Sequence, residues 1–140
     1  MCFKWLARLL AKIPNANSAE EIYELLRSVF PNADIYISDS NYGYINKASL
    51  VAFLAKDKTD AANYIPEDYD CDDFSFRLMG QFHVQGSGFE DKAIGIIWLQ
   101  QPVHALNVCV TEERKVLLIE PQTDKVYARP EDYIGQLVVM

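Results

Sequence analysis

Hydrophobic and polar residues follow a helical pattern in the first half of the chain and a strand pattern in its last third. Three segments carry the signals of helix boundaries, and they cover residues 18–30, 47–56 and 71–82. Ser18, with Glu21 three residues later, matches a capping box, and Asn46 is suited to cap the second of these segments. We therefore predict three helices here, separated by a short strand in residues 34–40 and a loop over residues 57–70.

A further helix is predicted at the N-terminus, over residues 2–13. Its basic residues recur at every fourth position, and its apolar residues lie on another stripe, made of Phe3, Leu6, Leu9, Leu10 and Ile13. Arg8 interrupts the apolar stretch and no small-residue cleavage site follows, which argues against a secretory signal. An ordinary packing helix is the favoured interpretation, and contact with an anionic membrane or with the acidic surface of the chain itself is the alternative.

The last third of the chain changes to short runs that resemble strands. They cover residues 93–100, 103–111 and 115–121, and a PQTD turn then leads to residues 125–128 and finally 136–140. Helices followed by strands favour an α+β fold, in which N-terminal helices pack on a C-terminal antiparallel β-sheet. The length of 140 residues predicts a single domain over residues 1–140, with an N-terminal helix and linker over residues 1–16.

The composition excludes several classes of function. The chain has 13 basic and 20 acidic residues, for a net charge of −7, which argues against binding to the phosphate backbone of a nucleic acid. No apolar run is long enough to span a bilayer, and three cysteines without a C-x-x-C pair favour a reducing compartment, so we predict a cytoplasmic protein. Nucleotide-binding glycine motifs are absent from the sequence, and no organic cofactor is predicted.

Three residues form the strongest candidate for chemistry. Cys71 stands at the predicted start of a helix, where the helix dipole favours a thiolate, and His104 and Glu120 lie on consecutive predicted strands. If those strands are neighbours, Glu120 orients His104, which gives the thiol, imidazole and carboxylate order of a cysteine hydrolase. The alternatives are a buried structural thiol and a core imidazole, and His83 competes with His104 as a general base.

An acidic cluster surrounds Cys71. Like charges oppose thiolate formation, so these carboxylates either point to solvent or bind a cation, and oxygen ligands at this density suit Ca²⁺. The spacing does not match an EF-hand loop. Five acidic side chains make up the cluster: Glu67, Asp68, Asp70, Asp72 and Asp73.

Four strings at these positions resemble a known family. YDCDDFSF, IGIIW, HALNV and LLIEPQTDKVY are similar in order and spacing to the papain-like C-terminal domain of the Marasmius oreades agglutinin family, and the match covers residues 64–128. The resemblance implies a minimal papain-like fold and a calcium-dependent cysteine hydrolase, most simply a peptidase with a peptide or protein substrate. This chain has no room for the β-trefoil sugar-binding module of that family, so sugar binding is not carried over.

The resemblance also implies a role for each matched residue. Cys71 is the expected nucleophile, His104 the general base, and Glu120 the group that orients the imidazole. Around these three we expect two supporting residues, Gln122 and Asn107, and two calcium ligands, Asp73 and Asp72.

The sequence leaves a second function open. A non-catalytic binding or effector module on the same fold would keep the same set of residues without the reaction, because a fold does not fix a function.

Overall fold

The computed structural model describes residues 18–140 of the chain. They form helices α1 (Ser18–Val29), α2 (Lys47–Lys56) and α3 (Cys71–Phe82), with a short 3₁₀ helix at Thr59–Ala61. The strands are β1 (Asp34–Tyr36), β2 (Ile94–Gln101), β3 (His104–Val110), β4 (Val116–Glu120), β5 (Lys125–Ala128) and β6 (Ile134–Val139). The predicted α+β class is confirmed. The predicted helix at residues 2–13, and with it Cys2, lies outside the described residues.

The six strands make one sheet in the order β1-β6-β2-β3-β4-β5. Strands β2 to β5 form a continuous antiparallel meander, and β6 returns to pair antiparallel with β2. The prediction of a wholly antiparallel sheet is wrong at one edge, because β1 pairs with β6 in parallel, with Ile35 opposite Val138. Parallel strands need a long crossover connection, and the sequence between β1 and β6 contains almost all of the domain.

Helices cover both faces of this sheet. On one face, Ile22 and Leu26 of α1 pack into a core with Ile97, Leu106 and Leu118. On the other face, α2 and α3 pack against residues of opposite parity, in a core made of Leu50, Leu54, Leu78, Phe82, Ile94, Cys109 and Leu117. Because both faces are covered, β3 and β4 are buried along nearly their whole length, which explains their unbroken apolar runs.

The start of α1 is tied to the C-terminal end of the sheet. The Ser18 hydroxyl donates to the backbone oxygen of Tyr42 at 3.1 Å and accepts from its N–H at 2.6 Å. The Tyr42 hydroxyl donates in turn to the backbone oxygen of Met140 at 3.1 Å. Ser18 therefore fastens α1 to a neighbouring loop, a role that the capping-box pattern did not predict.

The second helix begins with the cap that its sequence predicts, and the third begins at the predicted residue. Asn46 accepts the N–H of Ser49 at 3.0 Å through its side chain, and α3 begins at Cys71 behind Asp70. The connection over residues 57–70 is mostly irregular, as predicted, apart from its 3₁₀ turn. Within residues 18–140, none of the helices has the length and apolar character needed to cross a membrane.

Candidate functional site

His104 and Glu120 meet where β3 begins and β4 ends. The two strands are antiparallel neighbours, so the first residue of one lies close to the last residue of the other. The His104 Nε2 atom and the Glu120 Oε2 atom are 2.7 Å apart, and the two side chains keep 24% and 17% of their exposed surface. The predicted adjacency is present in the structure, while the role of the two residues remains a prediction.

The Glu120 carboxylate is held at both of its oxygens. Its Oε1 atom accepts a hydrogen bond from the backbone N–H of Gln122 at 3.2 Å, and Gln122 belongs to the turn that follows β4. Its Oε2 atom faces His104. The turn closes through Asp124, whose φ of 61° lies in the left-handed region that Asn and Asp tolerate better than most residues. The backbone N–H of Gln122 thus helps to hold the carboxylate that contacts the imidazole, while its supporting role in a site stays a prediction.

Cys71 opens α3 at the same end of the sheet. Towards the C-terminal end of α3, Leu78 and Phe82 pack with Cys109 near the end of β3, whereas Ser75 contacts Asn107. Helix and strand therefore run in the same direction, and the N-terminus of α3 lies towards the His104 end of β3. Among the described residues, no hydrogen bond joins the half-buried Cys71 thiol to His104.

Asn107 connects α3 to the sheet. Its Nδ2 group donates to the backbone oxygens of Ser75 at 3.1 Å and Gly95 at 3.2 Å, and the residue is fully buried. Ser75 also contacts the first turn of α3, where its hydroxyl donates a hydrogen bond to the backbone oxygen of Cys71 at 2.9 Å. Through this chain of bonds, Asn107 fixes the height of the Cys71 turn above β3.

Three carboxylates lie together at the start of α3. Oxygen atoms of Asp70, Asp72 and Asp73 lie within 4.8 Å of one another. Asp73 completes a capping box, in which its Oδ2 atom accepts the backbone N–H of Asp70 at 3.1 Å. The hydrogen bond and charge of Asp70 raise the pKa of the Asp72 carboxyl, as expected for crowded like charges. Of the five clustered acids, the structure brings Asp70, Asp72 and Asp73 together, and the calcium-binding role expected for Asp72 and Asp73 stays a prediction.

The other histidine and the other described cysteine, His83 and Cys109, lie away from the start of α3. His83 caps the C-terminal end of α3, and a helix of 12 residues separates it from Cys71 by about 18 Å, which excludes His83 as its partner. Cys109 is fully buried, and burial raises the pKa of its thiol to about 12, so this cysteine is structural.

An exposed aromatic pair near this edge was missed at the level of sequence. Phe76 on α3 is 53% exposed, and its ring centroid lies 5.8 Å from that of Trp98. Trp98 pairs with Ala105 on β3, whereas His104 pairs with Leu99 of the core on the α1 face, so the aromatic pair and His104 have positions on opposite faces of the same end of the sheet. Helical spacing from Cys71 alone could not reveal the pair, because Trp98 belongs to a strand more than 20 residues away in the chain.

Comparisons with known proteins find relatives only at the level of structure. No protein-family model matches the sequence, and no curated protein matches it. A structure described as the PSL1a–E64 complex has a TM-score of 0.73 and 20% sequence identity, and the match covers 86% of this chain and 49% of that one. Polyporus squamosus lectin bound to the epitope Neu5Aca2-6Galb1-4GlcNAc gives a TM-score of 0.69, 22% identity and coverages of 86% and 48%. The chain thus spans about half the length of these neighbours, and the likeness shows a shared fold.

These matches correct two predictions. One of the similar structures is described as a lectin, so the assignment to a papain-like protease domain is wrong, and so is the prediction of a cysteine hydrolase acting on a peptide or protein substrate. The physical reason is that the matched strings describe how a helix start and two strand ends are built. Such local rules are properties of a fold, and a fold does not specify a reaction.

Proposed function

We propose that this chain is a non-catalytic binding module whose ligand is a carbohydrate. The observation that carries the proposal is the His104–Glu120 pair, since a carboxylate held at both oxygens presents a fixed, partly exposed imidazole at the end of a rigid sheet. The description of one structural neighbour as a lectin bound to a sugar epitope supplies the ligand class. Because this chain spans about half of that lectin, a ligand of the whole lectin need not contact the matched half.

The polar part of the proposed site is His104. A carboxylate can only accept hydrogen bonds, so Glu120 accepts one from the Nε2–H of the neutral imidazole. This leaves Nδ1 of the ring as a hydrogen-bond acceptor. A sugar hydroxyl is both a donor and an acceptor, and it can donate to Nδ1. The expectation that sugar binding would be absent rested on the missing β-trefoil module, and it did not consider this geometry.

The apolar part of the proposed site is the ring pair Phe76 and Trp98. Sugar rings carry faces of C–H groups that pack on aromatic faces, whose quadrupole is negative. Phe76 is 53% exposed and offers such a surface at the same end of the sheet, on the face opposite to His104, and apolar contacts of this kind supply affinity in ligand sites.

Calcium is the proposed ion of the site. Asp70, Asp72 and Asp73 offer hard oxygen ligands within 4.8 Å of one another, and crowding of like charge at Asp72 is relieved when a cation binds. These donors fit Ca²⁺, and the ion would fix the first turn of α3. We expect Ca²⁺ to raise the melting temperature relative to EDTA, and D72N with D73N to abolish this rise. D68N, which removes an exposed carboxylate from the preceding loop, is the control.

The test of sugar binding is calorimetric titration with Neu5Acα2-6Galβ1-4GlcNAc and with the unsialylated disaccharide. We expect H104Q and F76S each to weaken binding by tenfold or more, whereas V51S, which removes an exposed apolar side chain from α2, leaves it unchanged. An affinity that neither H104Q nor F76S alters would contradict the proposed site.

The non-catalytic character is tested separately, with wild type, C71A and a labelled casein substrate. E64, named in the complex of one structural neighbour, serves as a second probe of Cys71. We expect no cleavage by either protein. Casein cleavage that C71A abolishes would overturn the proposal of a non-catalytic module.

A further inference from the structure

A pocket lies between α2, α3 and the loop that follows α3. Its volume is about 500 Å³, and the C-terminal end of α2 and the middle of α3 form its two walls. Phe53 from α2 lies in the wall, stacked on Phe82 with their ring centroids 4.7 Å apart, so this ring is held in place by the core. The pocket therefore combines a rigid aromatic wall with a polar rim.

Three cations line this pocket. Lys56 and Lys58 come from the end of α2, and Arg77 comes from α3 on the opposite wall. None of the three takes part in a salt bridge with another described residue, although the chain as a whole has a net charge of −7. Unpaired cations that converge on one cavity of an acidic protein favour an anionic ligand, because they raise its local concentration.

The carboxylates near the pocket are partly engaged. Asp57 is the acidic residue among the lining side chains, and its Oδ2 atom accepts the backbone N–H of Thr59 at 2.7 Å. Lys58 also lies near Asp124, whose pKa it lowers, so part of its charge is already balanced. Arg77 and Lys56 are thus the cations best placed to bind an anion.

Other side chains that line the pocket are suited to contact the hydroxyl groups of a ligand. Gln81 and Gln85 bring amides that both donate and accept, and Val84 adds an exposed apolar surface near the aromatic wall. A bare inorganic anion would use only the cations. A ring that carries a carboxylate, several hydroxyls and a C–H face would use the whole lining.

We propose that the pocket between α2 and α3 binds a small acidic sugar. Its carboxylate lies between Arg77 and Lys56, its hydroxyls contact Gln81 and Gln85, and its ring packs on Phe53. This site is distinct from the proposed His104 site, because none of the same side chains line it.

The test is an amide NMR titration of the whole chain with D-glucuronate, D-glucose and inorganic phosphate. Glucuronate is expected to shift the amides of Lys58 and of residues 84–87, and to bind at least tenfold more tightly than either other probe. Binding should weaken in 0.5 M salt, because exposed cations are screened.

Paired variants separate the pocket from general charge effects. The double variant R77Q with K56Q is expected to weaken glucuronate binding by tenfold or more. The control is K47Q, which removes an exposed lysine from the same helix about 14 Å away. Equal binding of phosphate and glucuronate, or equal effects of K47Q and the double variant, would overturn the proposal.

Discussion

His104 and Glu120 are sixteen residues apart in the chain, yet their Nε2 and Oε2 atoms are 2.7 Å apart. This contact fixes the tautomer of the imidazole, since the carboxylate accepts and the ring nitrogen must donate. The contact also places a functional group at the only part of β3 that is not fully buried among its seven residues.

The tautomer can be measured directly. In neutral His104 we expect the proton on Nε2, which long-range ¹⁵N–¹³C NMR distinguishes from a proton on Nδ1. Replacing Glu120 by Ala removes the acceptor, so the variant should show a mixture of the two forms. An Nδ1–H form in the wild-type protein would contradict the assigned bond, and His83 provides an internal reference in the same spectrum.

The two described thiols should react at different rates. Cys71 is half-buried at a helix start, whereas Cys109 is fully buried with its pKa raised to about 12. We expect iodoacetamide at pH 8 to label Cys71 at least tenfold faster in the native protein, as measured by peptide mass spectrometry. The two rates should become similar in denaturant. Equal rates in the native state would show that Cys109 is accessible.

Two glycines give a matched test of packing. Gly95 on β2 is buried, and a Cβ atom there would meet backbone atoms of β6 and the Cα of Met140 at 3.0 Å. Because backbone cannot move aside cheaply, we expect G95A to lower the free energy of unfolding by about 1–3 kcal/mol. A Cβ atom added at Gly80 on α3 would meet no other atom. G80A should therefore raise the free energy of unfolding by about 0.5–1 kcal/mol, because alanine has the higher helix propensity. Denaturant titration measures both, and an unchanged stability of G95A would contradict the close approach of β2 and β6.

Asp124 should make stability depend on pH. Burial, then the charges of Asp60 and Asp57, raise the pKa of Asp124 to about 6 in the folded state. An unfolded Asp titrates near pH 4, so the folded state holds more protons between these values, and stability falls as pH rises through this window.

Replacing Asp124 by Asn should therefore stabilise the protein at pH 8 and have little effect at pH 4. We expect a gain of about 1 kcal/mol, a figure reduced from the full shift because the carboxylate is only partly buried and solvent screens its charge. Asn also tolerates the positive φ at this position. D132N, which removes an exposed acid, controls for the change in net charge. A gain that is equal at both pH values would show that net charge, rather than Asp124 itself, is responsible.

Signals between near neighbours in the sequence predicted the helices and the β2–β5 meander. The pairing of strands that are far apart in the chain could not be predicted from such signals. Asn46 and Pro31 mark helix ends through near neighbours, so α1 and α2 could be predicted. The parallel pairing of β1 with β6 depends on residues about a hundred positions apart, for which periodicity carries no register.

The same distinction applies to the site. Glu120 could be placed beside His104 because consecutive antiparallel strands have only one simple arrangement. The contacts of Asn107 with Ser75 and Gly95 could not be predicted, because they depend on the direction in which α3 crosses the sheet. The function was misjudged for a related reason, since short strings around Cys71 report local construction rather than the ligand.

The position of β6 has a consequence for synthesis of the protein. Although it comes last among the described strands, it lies between β1 and β2 and pairs with both. A nascent chain that ends before residue 134 can form the β2–β5 meander, but β1 then has no partner and the exposed edge of β2 is open to other chains. Completion of the sheet therefore waits until residues 134–139 have left the ribosome, because neither β1 nor the outer edge of β2 has its partner before then.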